Sequence, residues 1–168
     1  MKVLAGKFKN QSIKLNRRFS YRPTTSIVRK SLFDALKSLE GKTFLDLYAG
    51  SGMIGFEASS RDASTVTFIE MHKLHMSQIR ENAGSFDYNR FHFYVRDSLR
   101  FLKKCENYDI IFADPPYGLV DLPLLIKLAT KKLNSGGVFV LECGKNESLA
   151  GYFKSSKFGD TQLLFWEA

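Results

Sequence analysis

"LDLYAGSGMIG", Leu45 to Gly55, closes a buried apolar run and opens onto three glycines. Gly50, Gly52 and Gly55 stand in a G-x-G-x-x-G spacing between a strand-like segment and a helical pattern, where glycine lets the backbone turn sharply and approach a ligand. The spacing alone is a weak signal, and context strengthens it. The next apolar run, "TVTFIE", ends on Glu70 about 20 residues further on, where a carboxylate can accept both hydroxyls of a ribose. Loop and acid together point to a cofactor containing adenosine. A dinucleotide would bring a pyrophosphate to the helix N-terminus, and Asp46, just ahead of the loop, would oppose it. S-adenosylmethionine has no phosphate and carries two cationic groups, so it suits Asp46 better. Asp97, closing "FHFYVRD", is placed to accept from the adenine amino group and also to cap the helix that "SLRFLKK" predicts.

Outward from this loop the chain alternates apolar runs with helical patterns: "TFLDLY", "MIGFEASSR", "TVTFIE", "KLHMSQIRENAGSF", "FHFYVRD", "SLRFLKK", "YDIIFAD", "LPLLIKLATKKL" and "GVFVLEC". Such a succession predicts an α/β fold, a mostly parallel sheet with helices on both faces. A short helix over "ESLAGYFK" and a last strand "QLLFW", antiparallel at or near the edge, are expected after it. Ahead of it, "KVLAGKFKNQSIKL" reads as a small β-hairpin. A helix follows Pro23, capped by Thr or Ser, with Ile27, Val28, Ser31, Leu32, Ala35, Leu36 and Leu39 as its apolar stripe and Gly41 as its end. Arg22, Arg29 and Lys30 fall off that stripe.

The run "YDIIFADPPYG", Tyr108 to Gly118, begins as a buried strand and breaks into an acid, two prolines and a tyrosine. Proline biases the residue before it towards an extended conformation, so Asp114 is held at the strand exit on stiff backbone. Ligands of open α/β sheets bind at the carboxyl ends of strands, and Asp46, Glu70, Asp97 and Asp114 all fall there. An exocyclic base amine is a poor nucleophile because its lone pair is delocalised. The Asp114 carboxylate and the Pro115 carbonyl can hold such an amine, while Tyr117 stacks the base.

The 168 residues are one domain's worth, with 44% hydrophobic and 25% charged residues. No apolar run approaches the roughly 20 residues of a membrane span, and "MKVLAGKFKN" lacks the apolar core of a secretory signal, so a cytoplasmic protein is expected. Cys105 and Cys143 have no C-x-x-C spacing, and His72, His75 and His92 have no matching thiols, so no metal site is expected. His72 and His75 read as a solvated helix face. The net charge is +8, and residues 1–42, with 11 basic residues against 2 acids, carry the whole excess. A localised basic segment attracts a polyanion through phosphate contacts, which favours nucleic acid as partner.

"DPPY" together with "LDLYAGSGMIG" resembles the class I amino-methyltransferases, which use S-adenosylmethionine. With "RPTTSIVRKSLFDAL" upstream, the chain resembles, over most of its length, the bacterial small-subunit ribosomal RNA guanine-N2 methyltransferases, the D members of their series. The resemblance implies a Rossmann-like, seven-stranded fold in which residues 1–42 form an RNA-facing extension of a core over 43–168, the whole folding as a single domain. It implies methylation of the N2 amine of a guanine in 16S ribosomal RNA, in the head of the small subunit and on assembled particles, by a monomer. Asp114, Pro115 and Tyr117 would be catalytic, and Asp46, Gly50, Gly52, Glu70 and Asp97 would hold the cofactor. Arg22, Pro23 and Thr24 would lie near the target base, and Arg17, Arg18 and Arg29 would join them in binding RNA. Two positions depart from the family's usual reading, Tyr48 for phenylalanine and Asp62 for glycine. An adenine-N6 methyltransferase of DNA or RNA, a nicotinamide-dependent oxidoreductase and a non-catalytic RNA-binding assembly factor are the competing readings.

Overall fold

A computed structural model of the chain describes residues 1–15 and 24–168. β1 (Thr43–Leu47), β2 (Thr65–Glu70), β3 (Phe91–Val95), β4 (Tyr108–Ala113) and β5 (Leu133–Gly144) run parallel. β6 (Lys154–Phe158) and β7 (Thr161–Glu167) form an antiparallel pair, with β7 also antiparallel to β5. The seven strands make one sheet in the order β3-β2-β1-β4-β5-β7-β6. The strand order reverses between β1 and β4, which is where open α/β sheets leave a crevice for ligand.

Register assigns every strand residue to a face. Asp46 lies opposite Phe68 and Phe112, and Phe112 lies opposite Val140. Side chains alternate along a strand, so Phe44, Phe68, Phe112 and Val140 share one face. They pack with apolar residues of α1 (Ser26–Leu36), α2 (Met53–Ser60) and α3 (Lys73–Ala83). On the other face Leu45, Ile69, Ile111 and Leu141 meet Phe101 and Leu102 of α4 (Ser98–Leu102) and Leu125 and Ala129 of α5 (Leu122–Thr130). Each fully buried phenylalanine contributes about 1.5–3 kcal/mol, so Phe33, Phe44, Phe56, Phe68 and Phe112 give the first face a large share of the core.

The first helix starts as predicted, with Thr25 Oγ1 accepting from the Val28 N–H at 3.4 Å. It stops at Leu36, ahead of the expected Gly41, because Lys37 takes φ +61° and redirects the chain. That turn lets Leu39 reach the core, while Ile27, expected in the apolar stripe, is 69% exposed. Arg29 was expected on the basic, RNA-facing surface and is instead buried, 3.6 Å from Glu57 and donating to the Lys2 carbonyl. The 3.6-residue helical period puts it on the side of Leu32 and Phe33, three and four positions on, facing Glu57 of α2.

The expected hairpin is represented by a single antiparallel bridge, Lys2 to Ser12. Segment 1–15 is fixed chiefly by α2: Leu4 and Ala5 donate to Glu57, and Lys7 and Phe8 donate to the Ser60 carbonyl and hydroxyl. "ESLAGYFK" does not form the expected helix. Gly151 sits at φ +81° within it, and Trp166 Nε1 donates to the Ala150 carbonyl. The strand that follows, β6, was missed because "KSSKF" is polar and largely exposed, the composition of a protected sheet edge. No helix among the described residues is long and apolar enough to cross a membrane.

Candidate active site

Neighbouring strands deliver acids to the same face at the same edge. Asp46 lies in β1, Glu70 ends β2, Asp114 follows β4 directly, and Glu142 lies two residues before the end of β5. Counting along the register pairs from Asp46, all four share its parity and so its face. Asp97 lies two residues past Val95, the register partner of Glu70, at the carboxyl end of β3. All five line a cavity of about 720 Å³.

The glycine loop is held by two of these acids. Asp46 is buried, and its Oδ2 accepts the Gly55 N–H at 2.9 Å. Burial pushes its carboxyl well above the usual carboxylate range, the Gly55 bond opposes that, and the nearby charges of Asp114 and Glu70 add to it. Glu70 accepts from the Gly50 N–H at 2.9 Å through one oxygen and from the His72 N–H at 2.8 Å through the other, tying the loop to the turn before α3. A carboxylate has about four acceptor positions, so Glu70 keeps capacity for ligand hydroxyls. Gly50, at φ +53°, lines the cavity, and a side chain there would find no heavy atom closer than 3.8 Å. Gly52 caps α2 at φ +76°, where an added Cβ would lie 3.0–3.1 Å from Phe56 and Ile79. Gly55 has a packing role, since an added Cβ would come within 2.2 Å of the Phe68 ring.

Asp97 does what its second reading required, accepting the Arg100 N–H at 2.8 Å as the cap of α4 while lining the cavity. Tyr48, at φ +57°, also lines it. Its hydroxyl is buried beside Ser98, short of a well-formed hydrogen bond. Burial and the charge of Asp97 push that hydroxyl up to about 12, with Ser98 opposing. At the other end of the cavity Asp114 leads into buried Pro115 and half-exposed Tyr117, whose hydroxyl donates to Thr161 Oγ1 at 3.2 Å.

Sequence reasoning missed Glu142 and Thr161. Glu142 is buried; its Oε2 accepts from the Thr24 hydroxyl at 3.2 Å, and its Oε1 lies 3.3 Å from Thr161 Oγ1. The single Thr161 proton has two acceptors in reach, that oxygen and the Cys143 carbonyl at 2.9 Å. The signal was present: "GVFVLEC" carries an acid one residue before its end, at the parity of Asp114, and it was read only as a strand. Thr24, expected near the target base, lines the cavity, whereas Arg17, Arg18, Arg22 and Pro23 lie outside the described residues. His72 and His75, read as a solvated helix face, line the cavity too, and His72 precedes α3 as its cap.

Asp46, Glu70, Asp97, Asp114, Asp121 and Glu142 line this space, and His72 and His75 are the only basic side chains among the described residues doing so. Such a cavity favours a cationic ligand, and a pyrophosphate would lie against Asp46. Among the described residues no three His, Cys, Asp or Glu side chains are placed to hold one metal ion. The fold is that of class I methyltransferases, and the acid-lined cavity suits a cationic cofactor such as S-adenosylmethionine. A family model described as Conserved hypothetical protein 95 matches residues 1–167. Ribosomal RNA small subunit methyltransferase D of Buchnera aphidicola subsp. Acyrthosiphon pisum is 32% identical over 152 residues, covering 88% of this chain and 80% of that protein. A putative methylase from Haemophilus influenzae has a solved structure 26% identical to this chain, with a TM-score of 0.82 and coverage of 99% and 97%. A putative methyltransferase from Escherichia coli shares the fold at a TM-score of 0.88, with 24% identity and coverage of 99% and 97%. The chain belongs to the Conserved hypothetical protein 95 family, that of the ribosomal RNA small subunit methyltransferases D.

Proposed function

We propose that this protein methylates the N2 amine of a guanine in small-subunit ribosomal RNA, acting on assembled or partly assembled particles. The observation that carries the reading is the placement of Asp114–Pro115–Pro116–Tyr117 at the mouth of an acid-lined cavity, beside a glycine loop held by Asp46 and Glu70. The resemblance to guanine-N2 methyltransferases and the naming of relatives as small-subunit enzymes support the choice of base and RNA. A basic segment over residues 1–42 supports a polyanionic partner.

In this reading Glu70 receives the ribose hydroxyls, Asp97 the adenine amine, and Asp46 offsets the positive charge of the amino acid end and sulfonium. S-adenosylmethionine, when bound, supplies a methyl group made electrophilic by its sulfonium. Asp114 and the Pro115 carbonyl each accept one N–H of the guanine amine, which fixes the nitrogen lone pair towards the methyl carbon. Methylation would leave the amine with a proton to lose, and Asp114 would be the group placed to accept it. Tyr117, steadied through Thr161, stacks on a base turned out of its helix.

Incubation with labelled S-adenosylmethionine and unmethylated small subunits, with naked RNA in parallel, tests the reading by mass spectrometry of the digested nucleosides. N2-methylguanosine, formed faster on particles, is expected. N6-methyladenosine would overturn the base, and no transfer to either RNA would overturn the substrate. Asp114→Ala is expected to slow transfer by about 100- to 10,000-fold while cofactor binding persists. A wild-type rate would remove Asp114 from the chemistry.

A further inference from the structure

We propose that Glu142 selects the target base by accepting the ring N1–H of guanine, beside the amine that Asp114 accepts. This deepens the guanine-N2 reading and rests on it. Ala113 of β4 pairs with Leu141 of β5, in strands spaced about 4.8 Å apart, so Asp114, directly after β4, and Glu142 each follow a register partner and share its parity. Both line the one cavity, at the end where Tyr117 stands. Guanine presents two donors side by side on its Watson–Crick edge, the N1–H and the N2 amine, and two neighbouring carboxylates are acceptors in matching order. Adenine presents an acceptor at N1, which would face the Glu142 oxygens lone pair to lone pair.

The setting of Glu142 fits recognition. The side chain is 6% exposed, so its charge acts where water screens it little. The Thr24 hydroxyl fixes Oε2 at 3.2 Å, and Oε1 lies 3.3 Å from Thr161, the same hydroxyl that receives the Tyr117 proton. Stacking ring and base-reading carboxylate therefore share one anchor, and a shift of one moves the other. A purely structural acid would account for the threonine contacts but would not discriminate between bases.

The test uses reconstituted small subunits carrying guanine or 2-aminopurine at the position that wild type methylates. 2-Aminopurine keeps the N2 amine and has an acceptor at N1. Single-turnover transfer from labelled S-adenosylmethionine is compared for wild type and Glu142→Gln, so that the ratio between variants cancels the different reactivity of the two amines. Wild type is expected to favour guanine by about 10- to 100-fold. Glu142→Gln is expected to lose about tenfold or more on guanine and much less on 2-aminopurine, since its amide can donate to that N1. Equal slowing of both bases, or wild type indifferent between them, would overturn the role of Glu142 while leaving N2-methylguanosine as the product. N6-methyladenosine from wild type would overturn the base reading and this inference together. Melting temperature and cofactor affinity report folding of the variant. Should Glu142→Gln melt early, Thr24→Val replaces it: a narrowed preference supports the proposal, and an unchanged one overturns it.

Discussion

Asp46 shows how one buried carboxyl couples stability to ligand binding. Its proton affinity is raised in the folded chain, so the native state holds a proton that the unfolded state releases near pH 4. The stability it provides is complete below that pH and is lost as pH climbs towards the raised value. Asp46→Asn is therefore expected to melt progressively higher than wild type as pH rises from 4 to 8 in the absence of cofactor, by differential scanning fluorimetry. A cationic cofactor draws the ionised form, so wild-type affinity is expected to rise with pH, with proton uptake by the buffer seen in calorimetry in two buffers. Asp46→Asn should bind more weakly and flatten that dependence. Equal slopes for the two proteins would show that Asp46 is not the group that releases the proton. Tyr48 and Asp62 both take positive φ. Nothing in sequence spacing announced their backbone geometry.

At the scale of elements, α2 organises two regions through opposite ends. Its N-terminus receives the glycine loop, and its C-terminal half carries Glu57, which is fully buried and accepts from Leu4, Ala5 and Arg61 while lying 3.6 Å from Arg29. Losing that carboxylate strands a buried guanidinium and two backbone donors. Glu57→Ala is expected to destabilise by about 3–5 kcal/mol, with faster hydrogen exchange at Leu4 and Ala5. A melting curve like that of wild type would show that segment 1–15 is held by Ser60 and apolar packing instead. The helix α1 was legible from its cap and stripe, yet the side on which Arg29 falls was not. An arginine near the edge of an apolar stripe reads as surface until a partner such as Glu57, 28 residues on, is known to face it.

For the whole molecule the governing feature is segregation of charge. Acids gather in the cavity, and the basic excess lies in residues 1–42. In the proposed reading a polyanion is drawn to the basic segment, while the acid-lined cavity repels phosphate and admits a cationic cofactor and a neutral base. Replacing Arg17, Arg18 and Arg22 together by glutamine is expected to weaken RNA binding, reduce the slope of log affinity against log salt by up to about 3, and leave cofactor affinity nearly unchanged. Titration at several salt concentrations checks this, and parallel loss of cofactor binding would assign these residues a structural role.

The succession of apolar runs and helical patterns by itself determined the parallel α/β core, because the periodicity of burial is written locally in each segment. It also determined four strand-end acids and the D-P-P-Y exit, since carboxyl ends of parallel strands converge on one edge whatever their order. Tertiary structure alone decided which acids share a wall. The adjacency of β4 and β5 puts Glu142 beside Asp114, and the β7 antiparallel return brings Thr161 to both Glu142 and Tyr117. Those contacts join residues 19 to 44 positions apart through strand order, which no local pattern encodes.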